Sequence, residues 1–433
     1  MAFFTSTKTK KITPAKRLEG QLQLPGDKSI SHRYAMLGAI AEGTTEIHFF
    51  ATSADCQSTL ECLKKLGVKV QRRDNVVTIE GGGLTGLKPS TAALDAGNSG
   101  TTMRMLAGIL AGQPFRSVLS GDASLSRRPM KRIVEPLTLM GARIRSAEGG
   151  LPPLEIEGGT LKPIHYDLPV ASAQVKSAVL FAGLHAEGET EVVEPAPTRD
   201  HTEIALEQMG AEISRHGRTV AVRGRARLEG RKFHVPGDIS SAAFFMIAGL
   251  MVPESNLVLR NVGLNPTRTA ILDVLAGMGG LVKVLNVEVV NGELLGDVHV
   301  ETSKLRGGEI PSEVVPGLID ELPVLAVLGT QTEEGLSFRG AAELRVKESD
   351  RIAVVAENLK RLGAEVEEFP DGLRVAGRQA LRGAEIETRG DHRIAMAFVV
   401  AGLVAEGTTV IRDSGCVDVS FPEFFETLSR VAG

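Results

Sequence analysis

The chain has 433 residues, of which 42% are apolar, 24% charged and 4% aromatic, with no Trp and a formal net charge of −4. One hydrophobic core rarely grows past about 250–300 residues, so two domains are expected, and the composition is that of a globular chain rather than a disordered or fibrous one. The slightly acidic balance gives no global attraction to nucleic acid or to anionic membranes, so neither is expected as a partner.

The opening MAFFTSTKTKKITPAKR is basic but lacks the apolar stretch of a secretory signal. The longest apolar runs, Ala242–Pro253 and Ile394–Ala405, fall short of the ~20 residues that span a bilayer. A cytoplasmic protein is expected. Cys56, Cys62 and Cys416 make neither a disulfide framework nor, with His, a zinc spacing. Buried free thiols are expected, with no metal and no cofactor.

Along the chain one pattern is written six times. PGDKSISHRYAMLGAIAEGTTEI starts at Pro25, DAGNSGTTMRMLAGILAGQPFRSVL at Asp95 and PVASAQVKSAVLFAGLHAEGETEV at Pro169. PGDISSAAFFMIAGLMVPESNLVL follows at Pro236, PGLIDELPVLAVLGTQTEEGLSF at Pro316 and RGDHRIAMAFVVAGLVAEGTTVI at Arg389. Each has a small or polar head, an Ala-rich apolar run, a break at Gly or Pro, and a short alternating segment. The starts lie roughly 65–85 residues apart.

After each comes a segment with apolar residues at i, i+3, i+4 and i+7, such as SADCQSTLECLKKLGVKV or KESDRIAVVAENLKRLGAEV. This predicts an amphipathic helix, often closed by Gly. The unit therefore reads as strand, buried helix, strand, exposed helix and paired strands. Three such units precede residue 235 and three follow.

The buried helices carry cations where the helix dipole disfavours them by about 0.3–1 kcal/mol. Lys28 and Arg33 stand at the head of the first, Arg104 on the second and Arg393 on the sixth. Cations so placed are reconciled with the dipole when an anion lies between them and the free N–H groups. Small, highly anionic ligands are the implied class. Asp27 and Asp238 read as helix caps. GDKS lacks the preceding Gly of a nucleotide-binding P-loop, and Asp27 interrupts its Gly-Lys pair, which excludes that motif.

The ordered set LPGDKSISHR (Leu24–Arg33), GNSGTTMR (Gly97–Arg104), RPM, SAQVKSA (Ser172–Ala178), GDISSAAF (Gly237–Phe244), KESDR (Lys347–Arg351) and GDHRIAMA (Gly390–Ala397) resembles the EPSP synthases nearly end to end, in the style of their bacterial class II. The resemblance implies an α/β fold of two lobes with three βαβαββ-type units each. One lobe would comprise residues 1–22 with 236–433, the other 23–235, with the active site in the interlobe cleft. It also implies a monomer that transfers the carboxyvinyl group of phosphoenolpyruvate to shikimate 3-phosphate without metal or cofactor.

Carried over by motif, Lys28, Ser29, Arg33, Ser172, Ala173, Gln174, Arg199, Asp320 and Lys347 would hold shikimate 3-phosphate. Lys28, Asn98, Gly100, Thr101, Arg128, Gln174, Arg351 and Arg393 would hold phosphoenolpyruvate. Asp320 would take the hydroxyl proton, Glu348 would exchange one with C3, and Lys28 would assist. Taken alone, Asp320 reads equally as a helix cap, Glu348 as part of a surface charge run, and Asn98 and Gly100 as turn residues. Two departures stand out. Val419 occupies the place of a Lys that many relatives carry, and SLSRRPM leaves Ser124, Arg127 and Arg128 competing for one role. Gly100 is expected to leave room for the inhibitor glyphosate.

The rivals are a UDP-N-acetylglucosamine carboxyvinyltransferase and a silent anion-binding repeat protein. The first typically has a Cys in the loop that here reads GDASLSRRPM, and the second has no need of the charged heads.

Overall fold

A computed structural model describes residues 8–433; the first seven residues of the opening basic segment lie outside the described residues. The chain divides into two compact units. One comprises the residues up to Pro25, Gly237–Glu288 and Leu294–Gly433; the other comprises Gly26–Pro236 and Val289–Glu293. Each has its own apolar core.

The six predicted apolar helices are Lys28–Ile40, Gly100–Ala111, Ala173–Gly183, Ile239–Met251, Leu322–Gly329 and His392–Gly402. They are buried nearly all round and apolar beyond their first turns, as helices enclosed by other elements must be. Every residue from Ile239 to Leu250 is buried, for example. The second helix of each repeat is amphipathic. In Arg351–Arg361 the buried residues include Ile352, Val355 and Leu359, at the i, i+3, i+7 spacing of one face.

Six small sheets accompany the helices. Each couples one parallel pair to antiparallel neighbours, the signature of a βαβ crossover joined to a hairpin. Three of them include a strand remote in sequence. Lys232–His234 pairs in parallel with Glu42–His48, so the sheet of the first repeat is completed by the end of the third. Glu19–Gln23 pairs in parallel with Asn256–Gly263, so the sheet of the fourth repeat is completed by the start of the chain. The sixth sheet has three strands, and Lys10–Ile12 serves as its antiparallel edge against Thr409–Ile411. The repeats thus form a closed series within each unit, that of the first three repeats from one contiguous stretch and that of the last three with the help of the chain's opening strands.

The tip of the hairpin formed by Leu281–Val290 and Glu293–Glu301 groups with the second unit. There His201 Nδ1 lies 2.7 Å from Glu293 Oε1, both side chains being buried. Asn291 Oδ1 accepts from the backbone N–H of His234 (2.9 Å).

Cys56 and Cys62 are buried free thiols, pushed up to about 12 by burial, and Cys416 is a partly buried one. Among the described residues no helix is long and apolar enough to cross a membrane.

Small residues set how near the inner helices approach. A Cβ at Gly108 would lie 2.2 Å from the Ala178 carbonyl oxygen, a backbone atom of the neighbouring helix that cannot swing away. Ala is the better helix former by about 1 kcal/mol, whereas overpacking costs about 1–3 kcal/mol. Gly108→Ala is therefore expected to lower stability by a net of up to ~2 kcal/mol in urea unfolding. A stabilised variant would show that propensity outweighs the close approach.

Candidate active site

In the unit built from the first three repeats, the predicted ligand residues sit at helix heads that are fixed to one another. Asp27 caps the first helix, its Oδ1 accepting from Ile30 N (2.9 Å), as its position in the sequence suggests. Lys28 follows in the first turn. Its Nζ donates to Asp55 Oδ2 (2.9 Å), an aspartate buried at the start of the neighbouring outer helix. Asp55 was not singled out in the sequence, because an acid in the first turn of an amphipathic helix is an ordinary complement to the dipole. Its second oxygen, Oδ1, is buried without a hydrogen-bond partner. The ion pair sets the lysine ammonium at the helix head despite the dipole.

Ser29 Oγ accepts from Arg199 Nη1 (3.3 Å). Arg33 does not reach toward solvent. Its Nε donates to Thr202 Oγ1 (2.7 Å), Nη1 to the Ser29 carbonyl (2.9 Å) and Nη2 to Ser177 Oγ (3.0 Å). Burial lowers its pKa to about 10, leaving it charged at neutral pH, and it ties the first helix to the third and to His201–Gln208.

The second and third heads are joined by Gln174. Its Nε2 donates to Thr101 Oγ1 (2.9 Å), and its Oε1 accepts from Arg104 Nη1 (2.7 Å). Ser99 and Ser172 cap these two helices, leaving Gly100, Thr101, Ala173 and Gln174 in the first turns, where N–H groups have no intrahelical partner. Arg128 is the arginine that the SLSRRPM loop turns toward this head. Its Nη2 donates to Asn98 Oδ1 (2.7 Å) and to Ser124 Oγ (3.1 Å), and its Nη1 donates to the Asn98 carbonyl (3.2 Å). Asn98 Nδ2 in turn donates to Asp122 Oδ2 (2.8 Å), so Asn98 braces an arginine as well as turning the chain. A Cβ at Gly100 would lie 2.9 Å from Arg104 Nη1 and 3.6 Å from Arg128 Nη1, so this glycine opens a space faced by two guanidinium groups.

The other unit supplies a denser cluster. Arg351 is only 1% exposed, and its Nε donates to Asp391 Oδ2 (2.8 Å). Its Nη2 donates to Glu348 Oε2 (2.7 Å), and its Nη1 lies 3.5 Å from Asp320 Oδ1. Burial disfavours the charge on Arg351, yet Asp391, Glu348 and Asp320 together outweigh it and raise its pKa. Asp391 also caps the sixth inner helix by accepting from Arg393 N (2.9 Å) and accepts from Ser349 Oγ (3.0 Å).

Arg393 Nη1 donates to the Asp320 carbonyl (3.0 Å), and its Nη2 is 3.7 Å from Asp320 Oδ2. Asp320 is therefore not the cap of Leu322–Gly329, whose N-cap is Glu321; its carboxylate lies beside two arginines and remains 17% exposed. Glu348 is 18% exposed and ion-paired, unlike a member of a solvated charge run. Lys347 Nζ donates to Glu343 Oε1 (3.1 Å). Val419 ends a 3-10 turn over Ser414–Val419 and is half-buried.

At the head of the fourth inner helix, Arg268 Nη2 donates to Ser240 Oγ (2.7 Å), and Ser240 Oγ donates to Glu321 Oε1. Asp238 caps the helix by accepting from Ser240 N (2.8 Å). Among the described residues no group of three His, Cys, Asp or Glu is placed to hold a metal ion.

Asp391 is held below the usual aspartate range because Arg351 and His392 overcome its burial and the repulsion of Glu348. A depressed folded-state pKa contributes stability that is present above the unfolded value, about 3.9, and is lost as pH falls through the lower folded value. Asp391→Asn leaves Arg351 without its main buried counter-ion, so a loss of about 3–5 kcal/mol is expected near neutral pH. The variant should also lose stability less steeply in acid than the parent. Parallel urea titrations at neutral pH and below pH ~4 measure both; equal acid sensitivity would remove Asp391 from this role.

The model of the family described as EPSP synthase (3-phosphoshikimate 1-carboxyvinyltransferase) matches residues 12–428. A 3-phosphoshikimate 1-carboxyvinyltransferase of Solibacter usitatus is 56% identical over 423 residues, covering 98% of this chain and 99% of the relative. That of Brevibacillus brevis is 48% identical, with the same coverage. A solved EPSP synthase structure from Acinetobacter baumannii superposes with a TM-score of 0.88 at 45% identity, covering 99% of this chain and 98% of that one. The six-repeat, two-lobed α/β fold is thus that of these enzymes, and the chain belongs to the EPSP synthase family.

Proposed function

We infer that the chain transfers the carboxyvinyl group of phosphoenolpyruvate to the 5-hydroxyl of shikimate 3-phosphate, releasing inorganic phosphate. The observation that carries this reading is the cluster of Asp320, Glu348, Arg351 and Arg393, in which one partly exposed carboxylate is flanked by two guanidinium groups and a second lies within reach of one of them. Two ligands bearing two phosphates and two carboxylates demand this density of cations, and arginine's planar fork suits both groups.

The reaction has two stages. The hydroxyl oxygen bonds to C2 of the enol as C3 gains a proton. The C2–O bond to phosphate then breaks, and C3 gives up a proton to restore the double bond. Asp320 takes the hydroxyl proton as general base. Glu348 exchanges the proton at C3, with Lys28 assisting. Arg351, Arg393 and Arg128 hold the phosphoenolpyruvate anion, together with Asn98, Gly100 and Thr101. Ser29, Arg199, Lys347 and the Ser172–Ala173–Gln174 head hold shikimate 3-phosphate. Arg33 contributes by fixing Ser29 and the third helix, since its nitrogens are already engaged there. In this reading the enzyme is cytoplasmic, and the cations on this chain serve without the lysine that Val419 replaces.

The test is phosphate release from shikimate 3-phosphate and phosphoenolpyruvate, with each omitted in turn. Release with one substrate alone, or no release with both present, would reject the reading. Asp320→Asn should lower kcat by about 10²–10⁴-fold, the usual worth of a general base; a near-parental rate would move the base elsewhere.

Glyphosate is expected to enter the space beside Gly100. The methyl of Gly100→Ala approaches Arg104 and Arg128 in that space, so the variant should need more glyphosate for half-inhibition than the parent. Equal sensitivity would mean that the inhibitor does not use that space.

A further inference from the structure

Lys176 stands in the signature stretch Ser172–Ala178, yet the reaction as drawn makes no use of it. It is the one buried lysine among the described residues, with its side chain 1% exposed. An ammonium taken out of water is costly unless it is paired. Its Nζ donates to Glu194 Oε2 (3.0 Å) and lies 2.6 Å from Glu203 Oε1, and both carboxylates are buried too. Such a triad is weak evidence of stability in itself, because apolar side chains of similar volume often serve as well or better. Where its ties lead is the informative part.

Glu194 directly follows the strand Glu189–Val193, and Glu203 lies in the first turn of the helix His201–Gln208. The stretch between them reads PAPTRDHT and carries Arg199. Lys176 therefore grips both ends of the segment that holds this arginine. Glu194 is tied to Lys176 through Oε2 and accepts from Thr198 Oγ1 at Oε1. Thr198 immediately precedes Arg199, whose Nη1 donates to Ser29 Oγ (3.3 Å).

The segment has little slack. Pro195 and Pro197 each lock one backbone angle, and the Pro195 carbonyl accepts from Arg218 Nη1 (2.8 Å). Beyond Arg199, the hydroxyls of Thr202 and Ser177 lie 2.6 Å apart, so the residue next to Glu203 is tied to the residue next to Lys176. The helix that carries Lys176 also presents Ser172, Ala173 and Gln174 at its head. One side chain thus sets the separation between that head and Arg199.

We propose that Lys176 is a positioning residue for the shikimate 3-phosphate subsite, fixing Arg199 relative to the head of the third inner helix through Glu194 and Thr198. This rests on the reading that Arg199 and that head hold shikimate 3-phosphate. Arg128, assigned to phosphoenolpyruvate, is held by Asn98 and Ser124 and lies outside these ties, so the effect should be confined to one substrate.

Steady-state phosphate release by the full chain, with each substrate varied in turn, tests the proposal. The variants are Lys176→Met, Thr198→Val, Thr198→Ser, Arg199→Ala, and Arg199→Ala combined with Thr198→Val. A hydrogen bond to a charged group corresponds to about tenfold in affinity or more. Arg199→Ala and Lys176→Met should each raise KM for shikimate 3-phosphate by about that factor. Thr198→Val should raise it by about threefold or more. Thr198→Ser keeps the hydroxyl and should match the parent. KM for phosphoenolpyruvate should stay within about twofold throughout, and Thr198→Val should add nothing once Arg199 is gone, because residues that act through one another are not additive. Thr198→Val decides the matter even if Lys176→Met does not fold, since Thr198 is half-buried and the variant leaves Lys176 and both carboxylates in place. A parent that releases no phosphate with both substrates overturns the functional reading and the proposal with it. In a working parent, the proposal alone is overturned if Thr198→Val leaves KM for shikimate 3-phosphate unchanged, raises both KM values alike, or multiplies with the effect of Arg199→Ala.

Discussion

The structure depends on keeping cations at the positive ends of buried helices. An arginine or lysine in that place is opposed by the dipole and, once buried, by the loss of water. Here each such cation is matched to a particular acceptor set. Asp391 serves Arg351, Asp55 serves Lys28, Gln174 serves Arg104, and Asn98 with Ser124 serves Arg128. Arg33 is fixed by two hydroxyls and a carbonyl. Asp391 is the most heavily engaged of these partners, because one carboxylate caps the sixth inner helix and anchors the arginine that heads a neighbouring one. Helix placement and charge placement are thereby one arrangement: a shift of His392–Gly402 would displace Arg351, and with it the guanidinium beside Asp320.

The closed series of repeats serves the same end. A helix enclosed on all sides can present only its head, so a fold of enclosed helices concentrates chemistry at the heads. Completing the first sheet with Lys232–His234 and the fourth with Glu19–Gln23 brings the ends of each three-repeat series together. A linear array would instead leave terminal repeats with uncovered faces. Three heads in one unit can then brace one another, as Gln174 braces the second and third and Arg33 the first and third.

Much of this was legible in the sequence. Six Ala-rich runs and their amphipathic followers carry strong helical periodicity, and all of them are helices in the structure. Strand partners were not legible. Segments as short as Leu94–Asp95 or Glu385–Ile386 have no alternation to read, and a three-residue strand such as Lys232–His234 carries nothing that identifies its distant neighbour. Asp27, Asp238 and the serine caps were readable because capping is local, lying within three residues of the group it satisfies. Asp320 was ambiguous because what distinguishes it is remote: Arg393 lies 73 positions beyond it. The part Arg33 plays in joining helices was hidden for the same reason, since Ser177 and Thr202 are 144 and 169 residues away.

The distinction between Arg33 and Arg128 sharpens what a motif can carry. Both stand in signature stretches, and both read as ligands for an anion. Arg33 donates from Nε, Nη1 and Nη2 to atoms of its own unit. For it to bind a ligand directly, it would have to give up bonds that hold two helices together. Arg128 is held at Nη1 and Nη2 by Asn98 and Ser124, close to the space that Gly100 leaves open. Positioning and binding are then different uses of the same residue type in the same kind of motif. What separates them is what each is tied to: Arg33 joins three helices of its unit, whereas Arg128 is held by its own loop and by Asn98 beside Gly100.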